Sequence, residues 1–132
     1  MRSDPRSMLL FVVPPLLLLA SVPARGEDEL PVTVKAPEAR TAFARGRAHY
    51  FNLRTEEART AFAEAVRVEP DFAIAHAWQA LATRPASDGK PAIDLALKLR
   101  NRVTPSERLF IDAAIARLRG DIDGEITRFE QL

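Results

Sequence analysis

The sequence predicts an all-α domain built as a stack of antiparallel helix pairs, about six helices in all. Three observations lead there. From Glu38 onward the chain is rich in Ala, Leu, Arg and Glu, all good helix formers. Its apolar residues recur at helical spacing between prolines, and no segment needs a sheet. Small and large side chains also repeat at an offset of 34 and then 33 residues, the signature of a repeat architecture.

The first 24 residues stand apart from this domain. Met8 to Ala20 is an apolar run of 13 residues preceded by Arg2 and Arg6, and Ser21-Val22-Pro23-Ala24 follows it. Basic, apolar, then small is the order of a secretory signal peptide, with cleavage expected after Ala24 or, in the second pattern, after Gly26. The run is shorter than the ~20 apolar residues of a spanning helix, and Pro14 and Pro15 weaken it further as a permanent anchor. The mature protein is therefore expected in the periplasm or outside the cell, with no stable membrane span. Residues 25–37, charged and interrupted by Pro31 and Pro37, read as an extended leader.

Residues 38–132 carry the helices. The first runs from about Glu38 to Asn52. Thr55 is expected to cap the second, with Glu56 and Glu57 in its first turn, where acidic groups favour the helix dipole. Ala58, Ala61, Phe62, Ala65 and Val66 form its apolar stripe, and Pro70 stops it. Asp71 is expected to cap a third helix, which ends before Pro85. Pro85 to Lys90 is a turn, and Pro91 suits the first turn of a fourth. Thr104-Pro105-Ser106-Glu107 is a capping box opening a fifth helix that Gly120 ends, and Asp121 caps a sixth carrying Ile122, Ile126 and Phe129.

Composition narrows the function classes. There is no cysteine, hence no disulfide framework and no lipid-bearing cysteine, so the domain rests on apolar packing. Setting aside Arg2, Arg6, Arg25 and Asp4, the chain from Glu27 has 16 Lys and Arg against 17 Asp and Glu, a net of −1. The charges are intermixed, which argues against a nucleic-acid surface. His49 and His76 lie far apart without a metal-ligand spacing, and no nucleophile elbow, phosphate loop or paired-acid signature is present. No metal, no cofactor and no catalysis are expected.

The repeat itself is specific. Gly46, Ala58, Phe62, Ala65 and Pro70 are spaced by 12, 4, 3 and 5 residues. An offset of 34 carries Ala58, Phe62 and Ala65 onto Ala92, Ala96 and Leu99; an offset of 67 carries Ala42, Gly46 and Phe62 onto Leu109, Ala113 and Phe129. Helices that cross closely need small residues where their backbones meet, here Gly46 against Ala58, and a large one, Phe62, to fill the gap to the next pair. This pattern resembles the small, small, aromatic, small, proline signature of tetratricopeptide repeats. Pro70 to Ala77 resembles a junction between such repeats, and Gly120-Asp121-Ile122 the turn within one. The resemblance implies a right-handed superhelical α-solenoid with repeats at about 39–72, 73–105 and 106–132. It has defects: Glu125 stands at a small-residue position, Pro85 shortens one helix, and Leu132 falls at position 27 of a 34-residue unit.

Members of that family bind extended peptides in the groove lined by the first helix of each pair. The resemblance implies a binding face of Arg40, Phe43, Arg47 and Tyr50, two arginines flanking aromatics, suited to an acidic or carboxylate-ended segment. The alternative is that the arginines are solvated and Phe43 packs inward. Phe43 and Arg47 stand where a Lys/Asn clamp for chaperone C-termini would need Lys and Asn. Trp78 either anchors a partner in the groove or belongs to the core as Trp78-x-x-Leu81-Ala82. The expected function is a non-catalytic, envelope protein-interaction scaffold with a protein or peptide partner. The alternative is the N-terminal repeat segment of a longer envelope or signalling protein. Self-association through the last hairpin is a further expectation.

Overall fold

The computed structural model describes residues 31–120 and 131–132. The expected signal peptide, the start of the leader and the sixth helix lie outside these. Within them the chain is all-helical: α1 (Pro37–Phe51), α2 (Thr55–Val68), α3 (Ala73–Ala82), α4 (Lys90–Leu99) and α5 (Pro105–Arg119). Short 3-10 turns at Ala86–Gly89 and Arg100–Arg102 flank α4. Helix α1 packs on α2, α2 on α3, and α3 on both α4 and α5. No described helix is long and apolar enough to cross a membrane.

Close packing of α1 on α2 depends on Gly46. A Cβ there would lie 2.6 Å from the ring of Phe62, so the glycine meets the aromatic ring of the facing helix. Ala58, the partner expected from sequence, is fully buried in the same core. Phe62 also reaches α3, its ring 5.8 Å from that of Trp78. Gly89 plays a similar part between the 3-10 turn and α3, where a Cβ would stand 2.7 Å from the Ala80 carbonyl oxygen.

Helix ends depart from expectation in two places. The N-cap of α2 is Arg54 rather than Thr55, and no side chain caps it. The exit of α1 explains this: Leu53 N–H donates to the Tyr50 carbonyl and Arg54 N–H to that of His49, a Schellman closure that places Leu53 at φ 59°. Arg54 C=O already accepts from Ala58 N–H, so Thr55 falls inside the first turn. Likewise α3 starts after Phe72, not after Asp71. The Phe72 ring is fully buried, 4.9 Å from that of Phe43, and this burial fixes where the helix begins. The capping box forms as expected: Thr104 Oγ1 accepts from Glu107 N–H, and the Glu107 carboxylate accepts from Thr104 N–H. Gly120 ends α5 in the left-handed conformation, φ 75°.

The remaining polar contacts join elements across the surface. Arg100 donates to Asp112 of α5 through Nε (2.7 Å) and Nη2, a two-pronged pair that raises the arginine's already high pKa. Arg45 of α1 pairs with Glu64 of α2. Residues 31–36 are extended, and their Val32, Val34 and Ala36 pack against the core.

Candidate functional site

The face expected from sequence divides in two. Arg40, Phe43, Arg47 and Tyr50 recur at three- and four-residue spacing along α1, so they lie on one side of it. Their depths differ. Arg40 is exposed, while Phe43 is 3% exposed. Phe43 sits between Phe62 at 5.7 Å and Phe72 at 4.9 Å, the inward packing posed as the alternative, and presents no surface to a partner.

Toward the C-terminal end of α1 the structure brings the others together. Trp78, on α3, is 8% exposed and stacks on Phe62 (5.8 Å) and Phe110 (5.0 Å), each at 25°. Tyr50 stands edge-on to it at 5.1 Å and Phe51 at 5.8 Å. A single indole therefore touches α1, α2 and α5 from α3. Above it lies the Arg47 guanidinium, 5.9 Å from the Trp78 ring and 5.8 Å from that of Phe51, within cation–π range of both. Arg40 is two turns away, about 10 Å along the helix axis. The cluster that forms is thus Arg47, Tyr50 and the rim of Trp78, with Arg40 outlying.

Two contributors were not singled out from sequence. Phe51 is 65% exposed beside Arg47, and Leu53 is 89% exposed in the turn that follows. The four-residue step from Arg47 to Phe51 was the available signal, since it sets the two side by side on a helix. Leu53 had no such signal, because its prominence comes from the left-handed turn.

The opposite side of α3 carries different chemistry. His76, Gln79 and Thr83 are spaced 3 and 4 residues apart, about 160°, 100° and 140° around the helix from Trp78. They floor a groove of about 610 Å³ whose walls bring Glu56 and Arg59 from α2 and Arg84 and Asp88 from beyond α3. His76 is buried, with Nε2 2.7 Å from the Pro70 carbonyl oxygen; the carbonyl can only accept, so Nε2 carries the proton. Two acids and two arginines leave this groove without net charge. Among the described residues no group of His, Cys, Asp or Glu is placed to hold a metal ion.

Comparison with protein families, curated proteins and solved structures finds no match to this chain.

Proposed function

We propose that this protein is a non-catalytic protein-interaction scaffold of the cell envelope, built as a tetratricopeptide-like solenoid and exported by a cleaved signal peptide. It binds an acidic or carboxylate-ended peptide segment at the C-terminal end of α1. The observation that carries this reading is the patch of Arg47 over Phe51 and Trp78, bordered by the exposed Phe51 and Leu53. A cation on an aromatic floor, ringed by exposed apolar side chains, suits an anionic group attached to an apolar neighbour. The exposed Arg40 extends the positive charge along α1.

The chain contains one tryptophan, and it lies under this patch. Titration of the purified protein with short peptides ending in Phe-Asp or Leu-Glu is expected to change Trp78 fluorescence saturably, while amidated versions bind at least tenfold more weakly. Arg47→Glu should abolish the response and leave the helical circular dichroism intact. An unchanged response in Arg47→Glu, or none from any acidic peptide at millimolar concentration, sinks the proposal. Hydrolysis or turnover of a substrate by the purified protein would overturn its non-catalytic part.

A further inference from the structure

Residues 31–36 behave as a strand without a sheet. Val32, Val34 and Ala36 are half-buried against the core, whereas Pro31, Thr33 and Lys35 are exposed. That period of two is a strand's, and it sets the N–H groups of residues 33 and 35 on the same edge. Carboxylates take the place of a neighbouring strand. Glu107 accepts the Thr33 N–H at 2.6 Å and the Thr33 hydroxyl at 2.7 Å. Glu69, at the C-terminal end of α2, accepts the Lys35 N–H at 2.8 Å and the Ala36 N–H at 3.1 Å. The segment thereby ties the start of α5 to the start of α1, which begins at Pro37.

We propose that this slot is a receptor for an extended segment presenting backbone N–H groups and alternating β-branched side chains. The chain's own residues 31–36 fill it in cis as a releasable strap. Release does not strand a buried charge. Glu107 is 0% exposed under the strap; its Oε2 also accepts from the Thr104 N–H and hydroxyl, each at 3.0 Å, and keeps those partners when the strap leaves, while Oε1 exchanges the Thr33 N–H for the water that enters the vacated slot. The strap itself is anchored by three half-buried side chains and carboxylate contacts, a modest set next to any of the helices, so local opening precedes global unfolding. A tethered segment competes at an effective concentration of the order of millimolar, which keeps the slot closed to other chains until the strap is displaced. The slot is at the far end of α1 from Arg47 and Phe51, so it is separate from the peptide site proposed above.

The test uses the full chain and a labelled peptide copying residues 31–37. Thr33→Pro removes both the N–H and the hydroxyl that reach Glu107. It is expected to free the slot and to bind the peptide at least tenfold more tightly than the unaltered chain, with Glu69→Gln added on top reversing most of that gain. Equal binding by the two chains, or none by a folded Thr33→Pro chain, overturns the proposal. Should Thr33→Pro fail to fold, hydrogen exchange in the unaltered protein decides. Thr33 and Lys35 amides that exchange faster than those of α1–α5 support a releasable strap; exchange only on global unfolding refutes it.

Discussion

Gly46→Ala places a methyl group where the Phe62 ring already is. The new Cβ would stand 2.6, 2.7 and 3.0 Å from three ring carbons. Carbon atoms at rest prefer about 3.5–4.0 Å, so the helices or the ring must move by roughly 1 Å. The ring cannot swing aside. Phe62 is fully buried and wedged between Phe43 at 5.7 Å and Trp78 at 5.8 Å. Overpacking of this kind costs about 1–3 kcal/mol. Against it stands the ordinary gain from replacing a mid-helix glycine with alanine, about 1 kcal/mol. The net expectation is a loss of ~0–2 kcal/mol, up to several degrees in Tm for a domain of this size. Urea unfolding followed by circular dichroism measures it, with Ala44→Gly as the control: Ala44 is exposed on the same helix and should lose only its propensity, about 1 kcal/mol. Adding Phe62→Leu should relieve part of the clash, so the double variant loses less than the two single losses combined. A Gly46→Ala protein more stable than the unaltered one would refute the close approach of α1 to α2.

Leu53 and Gly120 both occupy left-handed turns, at φ 59° and 75°, and should respond with opposite signs. Leu53→Gly relieves a non-glycine strain of about 1–2 kcal/mol, less the entropy of the added glycine, so thermal melts should show a small gain. Gly120→Ala meets no atom within 4 Å and should cost about 1 kcal/mol from backbone strain alone. Arg100→Ala should lose about 1 kcal/mol, since the pair with Asp112 is partly exposed at 34% and 22%. Because the hydrogen bond to Asp112 raises the Arg100 pKa, that stabilisation is complete below the unfolded arginine's pKa and is lost only as pH rises through the folded one. The stability difference between Arg100→Ala and the unaltered protein should therefore stay level from about pH 7 to about pH 10.

Local signals in the sequence carried most of the helix plan, because each is a short-range effect. Pro70 and Pro85 cannot continue a helix, and α2 and α3 stop before them. Thr104 and Glu107 cap α5 within a single turn. The misplaced caps fail for a tertiary reason: burial of Phe72 and the Schellman closure at Leu53 outweigh the side chains of Asp71 and Thr55. The strap was legible only as an extended leader. Its anchor on Glu107 joins residues 74 apart, and the capping box already gave that carboxylate a complete local explanation. Nothing at short range marks a side chain that serves two partners.

Trp78 was open between core and groove, and the geometry explains why residue type could not decide. An indole is large enough to do both. One part stacks on Phe62 and Phe110 inside the helices, while Tyr50 and Phe51 meet it edge-on and Arg47 covers it from α1. At 8% exposure it offers almost no area to a ligand, so any partner at Arg47 engages Trp78 through the guanidinium and the Phe51 ring rather than by contact with the indole. Core and site are then mechanically one: a change at Trp78 alters stability and the seating of Arg47 together. A change at Phe51, 65% exposed, should alter binding while leaving the fold almost untouched. Phe51→Ala is therefore the cleaner probe of the site, and Trp78→Ala, which removes a ring shared by four helices, probes the fold.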